Sequence, residues 1–158
     1  MLRLVLDTNV LLAGLVSESS ASQKLVIALQ SRTAIPLVSA QVMAEYRAVL
    51  LHPAIAARHA NLTSRRVALV LHRLRYIADE YETAHVNFEL PRDPLDAKFI
   101  ELAIAGDATH IVTLDNDLLS LPAARDDTGK RFRQRLRGAE ILQPGVFVAR
   151  YAQSLGLE

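Results

Sequence analysis

Cysteine is absent from this 158-residue sequence. That absence excludes disulfides, thiolate metal ligands and a cysteine nucleophile together, and it makes a reducing, cytoplasmic compartment the expected one. Long apolar runs are absent too. The stretch from Leu2 to Leu6 is interrupted by Arg3 and closed by Asp7, so neither a signal peptide nor a membrane span is expected. Histidine offers no nucleophilic triad. None of His52, His59, His72, His85 and His110 stands beside an acid in such a pattern, and His59 and His72 read as surface helix residues. Lysine is scarce: of eighteen cationic residues only Lys24, Lys98 and Lys130 are lysines, leaving fifteen arginines. Arginine suits bidentate grip on phosphate, although a GC-rich genome also enriches it. Internal repeats and linker-like stretches are missing as well.

What is present describes one ordinary α/β domain covering 1–158. Hydrophobic residues make up 51% and charged residues 22%, with a net charge of +1. Leu2 to Asp7 reads as a buried strand that ends on an acid, with Thr8 or Asn9 capping the helical turn after it. Gln23 to Arg32 reads as a helix, Ile35 to Val38 as a second strand, and Ala40 to His52 as a helix closed by Pro53. A long amphipathic helix is predicted from Ser64 to Tyr81, and a weak strand from Ala84 to Phe88. Asp93-Pro94 supplies an N-cap and a first-turn proline for a helix that runs to Ala105 and stops at Gly106. Ile111 to Asp115 is another buried strand ending on an acid. A basic excursion over about 122–138 follows, then a strand from Ala139 to Leu142 and a C-terminal helix. Short apolar strands alternating with helices imply a mainly parallel sheet.

The acids carry the functional signal. In right-handed βαβ units, strand C-termini and helix N-termini share one edge of the sheet. Asp7 and Asp115 end strands, while Asp96 and Glu45 lie in the first and second turns of helices. All four are therefore expected on the edge where open α/β sheets bind ligands. Taken singly, each has a structural explanation: Asp7 as a cap, Asp96 as a helix-dipole acid, Asp115 and Asp117 as turn residues, Glu45 as a solvated helix charge. Taken together they form a cluster whose mutual repulsion a divalent cation would relieve, and hard oxygen ligands suit Mg²⁺ or Mn²⁺.

Four motifs then occur in order: Leu4-Val-Leu-Asp7-Thr-Asn9, Glu45-Tyr46, Arg92-Asp-Pro-Leu-Asp96-Ala-Lys-Phe99 and Val112-Thr-Leu-Asp115-Asn-Asp117. This set resembles the PIN-domain family, over roughly residues 2 to 150, and most closely its branch of toxin components of toxin–antitoxin pairs. The resemblance implies a three-layer α/β/α fold with a five-stranded sheet of order 3-2-1-4-5. It implies endonucleolytic cleavage of single-stranded RNA by water that a divalent cation activates. It also implies Asp7, Glu45, Asp96 and Asp115 as the metal-binding and catalytic acids, Asp117 as a further outer ligand, and Asn9 and Thr113 as supports behind them. An antitoxin protein is the partner that the branch implies. The sequence departs from the branch at Leu95 and Ala97, where further acidic or amide residues are common, and in the length of the basic segment after Pro122. In that segment Arg125, Lys130, Arg131, Arg133, Arg135 and Arg137 are expected to hold the RNA backbone near the acids. The alternative is a solvated arm that helps a homodimer form.

Two other enzyme classes place an acid after a buried strand. A haloacid-dehalogenase-type phosphatase needs a second Asp where Asn9 stands, and a receiver domain needs a lysine-bearing strand that this sequence lacks. A housekeeping RNA-processing nuclease of the same fold and a non-catalytic RNA-binding or interaction domain remain the alternatives.

Overall fold

The computed structural model describes residues 1–157. Its five strands are β1 (Arg3–Leu6), β2 (Ile35–Val38), β3 (Asp79–Glu80), β4 (His110–Val112) and β5 (Glu140–Leu142). All pair in parallel, in the order β3-β2-β1-β4-β5. Among the described residues the helices are α1 (Thr8–Val16), α2 (Ala21–Gln30), α3 (Ala40–Leu50), α4 (Pro53–Arg58), α5 (Ser64–Ile77), α6 (Ala97–Ala105), α7 (Asn116–Leu119), α8 (Asp127–Arg135) and α9 (Pro144–Leu155). None is long and apolar enough to cross a membrane.

The sheet separates two apolar cores, which gives the three-layer α/β/α arrangement. Side chains alternate across a strand. Leu4 and Leu6 therefore pack with Leu25 and Leu29 of α2 and Phe147 and Leu155 of α9. Val5 faces the other way, with Ile111 and Ile141, onto Tyr46 of α3, Leu71 of α5, and Phe99 and Leu102 of α6. Central strands buried on both faces read as continuous apolar runs, which is why β1 and β4 stand out in the sequence. At the amino edge of the sheet the Arg3 guanidinium donates to the Gly106 carbonyl, to Asp79 at 3.0 Å and to the Tyr81 hydroxyl, tying the start of β1 to β3 across the intervening β2.

The third strand corrects the sequence reading. The helix expected to reach Tyr81 stops at Ile77, because Ala78 is extended, and β3 follows at once. The strand expected over 84–88 does not form. Val86, Phe88 and Leu90 are buried while Asn87 and Glu89 are exposed, so the alternation records an extended segment laid on the core without a ladder partner. Other boundaries move as well. The helix expected to reach His52 ends at Leu50, Pro53 opens α4 as its first residue, and β4 ends at Val112, three residues before Asp115.

The basic excursion is a packed helix and not a solvated arm. Asp126 caps α8 by accepting from the Gly129 amide, and Phe132 is buried. Arg133 donates to the carbonyls of Pro122 and Ala124 at 3.0 and 2.6 Å. Gly129 lets α8 lie this close: a Cβ there would sit 2.2 Å from the Ala124 carbonyl oxygen. Gly129→Ala is accordingly expected to lower stability by about 1–3 kcal/mol through overpacking, seen as a lower melting temperature. An unchanged melt would mean that α8 is not docked as described.

Candidate metal centre

The carboxyl edge of the sheet collects acids from separate parts of the chain. Asp7 continues the ladder past β1, its amide donating to the Val112 carbonyl at 3.0 Å. It occupies the N-cap position of α1, where Thr8 or Asn9 was expected, yet its carboxylate makes no capping bond. Asp7 Oδ2 instead accepts from the Thr113 hydroxyl at 2.7 Å. That hydroxyl, on a fully buried residue, also accepts from the Asp115 amide at 2.9 Å. Thr113 thus ties the exit of β1 to the exit of β4. Asp115 in turn caps α7, its Oδ1 accepting from the Asp117 amide at 2.9 Å.

Asp96 closes a single 3₁₀ turn, Pro94–Asp96, immediately before α6. Asp93 precedes that turn and makes no capping bond with its side chain. Carboxylate oxygens of Asp93, Asp96 and Asp115 all lie within 4.8 Å of one another, and all three residues are half-buried. Such a group cannot be fully ionised without cost. Burial first, then the charges of Asp7 and Asp93, and then hydrogen bonding to Asp115 and Asp93, push the Asp96 carboxyl up to about 8. Burial also raises Asp7, against the lowering effect of the Thr113 bond, with Glu45 and Asp115 adding to the rise.

Glu45 reaches this edge because the Tyr46 hydroxyl, buried in α3, donates to the Leu6 carbonyl at 2.6 Å. Glu45 lies near enough to Asp7 to raise it but outside the Asp93–Asp96–Asp115 group. Both its oxygens have partners: Oε2 accepts from the Thr8 hydroxyl, and Oε1 is 2.5 Å from Lys98 Nζ. Asp117 also lies outside the group. It is exposed, and its carboxylate is 3.7 Å from Arg92. Asn9 is exposed and its side chain makes no hydrogen bond among the described residues, so the hydroxyl behind Glu45 comes from its neighbour Thr8.

Three contributors were passed over in the sequence: Asp93, which was read as a cap, and Thr8 and Lys98. Asp93 was detectable as a second acid three residues before Asp96. The donor set is made entirely of carboxylate oxygens, converging from several directions and short of countercharge. That chemistry fits a small hard cation of the Mg²⁺ or Mn²⁺ type.

Of the predicted RNA-contacting cations, Arg133 is engaged with carbonyls as described, and Arg135 donates to the Asn87 carbonyl at 3.5 Å. Arg125, Lys130, Arg131 and Arg137 are exposed and have no side-chain partner among the described residues. Arg92, Asp117 and Arg125 line one cleft together with Leu90 and Leu121, and Asp117 follows Asp115 of the acid group by two residues.

The family model described as PIN domain matches residues 3–117 of this chain. No curated protein and no solved structure matches it. The match takes in all four motifs and ends at Asp117, so α8, β5 and α9 lie beyond it.

The raised carboxyls fix a pH dependence. With Asp96 held up to about 8 against an ordinary value of 3.8, the folded protein binds more protons than the unfolded chain between those values. The contribution of Asp96 to the stability of the cation-free protein is therefore expected to fall as pH rises from about 4 to about 8. Asp96→Asn is expected to flatten this fall and to melt above the wild type at pH 8. Melting curves across that range check it, and a variant that melts lower at pH 8 would make Asp96 a structural cap.

Proposed function

This chain belongs to the PIN-domain family, a family of metal-dependent nucleases, and from that premise we propose that it is a metal-dependent endoribonuclease acting on single-stranded RNA. The observation that carries the reading is the meeting of Asp7, Asp93, Asp96 and Asp115 at one sheet edge, where burial first and the neighbouring acids second lift Asp96 to about 8. Asp96 and Asp115 would hold the cation with Asp7, joined by Asp93 and by Glu45 once Glu45 leaves its present partner. When bound, the cation supplies Lewis acidity toward water and offsets charge on the phosphate. The chain's own residues do the rest. Thr113 fixes the Asp7 carboxylate and the Asp115 backbone with one hydroxyl, so the two acids keep their spacing. Asp117 stands at the rim with Arg92, where an outer role suits it.

An anionic centre repels a polyanion, and cations at its border offset that repulsion. Arg92 and Arg125 flank the adjoining cleft, and Lys130, Arg131 and Arg137 extend the positive border along and just beyond α8. We assign the strand's path to this cleft. Arg133 and Arg135 already donate to the carbonyls of Pro122, Ala124 and Asn87, so we weight the phosphate contact toward the other four.

The narrower reading is the toxin of a toxin–antitoxin pair, supported by the motif resemblance to that branch. A partner's arginine pairing with two of the clustered carboxylates would restrain such an enzyme. Expression of the chain alone in its host distinguishes this from a housekeeping nuclease. A toxin arrests growth in a manner that Asp7→Asn abolishes and a neighbouring small gene rescues, whereas harmless expression of active enzyme rejects it.

Purified protein is expected to cut single-stranded RNA with Mn²⁺ or Mg²⁺ and to stop with chelator. Asp7→Asn, Asp96→Asn and Asp115→Asn should each lose on the order of a hundredfold or more in rate. Chelator-resistant cutting by a clean preparation would falsify the mechanism. Replacing Lys130 and Arg131 by Ala should flatten the salt dependence of RNA binding by about 0.7 per lost phosphate contact, and an unchanged slope would remove α8 from the strand's path.

A further inference from the structure

Lys98 is the cation set closest into the acidic edge, and nothing in the proposed reaction yet employs it. Its Nζ lies 2.5 Å from Glu45 Oε1, and both side chains are 23% exposed. Among the described residues the only other ion pair at this edge is the longer, more exposed Arg92–Asp117 contact. Position makes Lys98 unusual. It is the second residue of α6, within the first turn, where the helix dipole disfavours a positive charge. It follows Asp96 by two residues and stands among acids, so a local cost is offset by a site-level contact. Residue type matters as well. In a chain with fifteen arginines, one of its three lysines occupies this place. An arginine would grip Glu45 through a rigid two-pronged fork, whereas an ammonium on a flexible stem can leave one oxygen for another. The ammonium also lies over the face of the Phe99 ring, with Nζ 5.9 Å from its centre, a second and weak contact that keeps the group at the edge.

We propose that Lys98 is an exchangeable counter-ion. It neutralises Glu45 while the divalent cation is absent, and it passes to a phosphate of the RNA strand when Glu45 turns to that cation. The inference rests on the nuclease reading and adds a substrate contact to it. No bond is made or broken; one ion pair, Lys98–Glu45, is exchanged for two, Glu45–cation and Lys98–phosphate. The Thr8 hydroxyl on the other oxygen of Glu45 holds the carboxylate near the edge during the exchange.

The test compares Lys98→Gln and Lys98→Arg with wild type in two binding measurements, with circular dichroism confirming the fold. Calorimetric titration of Mn²⁺ into RNA-free protein reads the competition for Glu45. Lys98→Gln should bind Mn²⁺ roughly 3- to 10-fold more tightly, because a nearby positive charge is gone. Lys98→Arg should bind it more weakly, because the fork holds Glu45 harder. Anisotropy with a short, nuclease-resistant 2′-O-methyl phosphorothioate RNA in Mn²⁺ reads the second half. There Lys98→Gln should lose affinity and flatten the salt slope by about 0.7, the loss of one phosphate contact, while Lys98→Arg keeps the slope. Unchanged or weaker Mn²⁺ binding by Lys98→Gln overturns the proposal and leaves Lys98 as an anchor for α3. Tighter Mn²⁺ binding with an unchanged salt slope overturns the transfer to phosphate. Failure of the nuclease reading gives a different signal: wild-type protein that takes up Mn²⁺ but binds no RNA, which removes the transfer along with it.

Discussion

A carboxylate almost withdrawn from water needs a donor, and at Asp7, only 5% exposed, the side-chain donor is the hydroxyl of Thr113. That hydroxyl has one proton to give and gives it to Asp7, while a lone pair takes the Asp115 amide. Amide, hydroxyl and carboxylate form a chain in which each bond polarises the next in the same sense. The chain also spans two neighbouring strands. With the Asp7 amide on the Val112 carbonyl and the Thr113 amide on the Leu142 carbonyl, the ends of β1, β4 and β5 are fastened in sequence. The spacing of the acids is therefore set by the same bonds that finish the sheet, and it does not depend on the rotamers of solvated side chains. Asp7 also stands at a helix N-cap without capping it. A helix start leaves backbone donors wanting acceptors; the Asp7 carboxylate is near enough to the Thr8 amide for that contact to lower its pKa, while its shortest bond goes to Thr113 across the sheet.

Legibility in the sequence followed burial. The strands β1 and β4, buried on both faces, appear as apolar runs, and the acids just beyond them mark the carboxyl edge. The order of the strands came with the family resemblance and not with periodicity. Strand β3 was illegible because two acids, Asp79 and Glu80, carry no strand signature; tertiary contacts from Arg3 and pairing with β2 create it. Conversely, the alternation at Val86, Phe88 and Leu90 is a true record of burial that no neighbouring strand converts into a ladder. Helix α8 was hidden because a single apolar residue, Phe132, anchors it, and the rest of its contacts are made by a missing Cβ at Gly129 and by Arg133 reaching backbone carbonyls.

Within the site, the limit was different in kind. Asp7, Asp96 and Asp115 could be placed on one edge by topology alone. Asp93 was absorbed by the capping explanation that Asp-Pro invites; its spacing from Asp96 was visible, and three-dimensional proximity adds that its carboxylate lies close to those of Asp96 and Asp115. Glu45 could be placed on the edge, but its engagement with Lys98 and Thr8 depends on how α3 and α6 are brought together by the core between them. Sequence patterns report which residues share a face. They do not report which of two nearby charges an acid will choose.

That choice gives the site its electrical layout. Acids occupy the centre, one lysine is inserted among them, and Arg92 and Arg125 line the cleft that Asp117 also lines. The acids have little positive charge among them: Asp96 is pushed up to about 8, and Glu45 is held by Lys98. Under the proposed exchange a divalent cation would change both, favouring loss of a proton from the acids and freeing the lysine, so that the centre would turn from repelling a phosphate strand to receiving it. Linkage would then make each ligand favour the other by the same factor: a cation-loaded site would bind RNA more tightly, and an RNA-loaded site would hold its cation more tightly. The chain's nearly neutral total charge conceals the segregation of charge at a single edge of the sheet on which such a coupling depends.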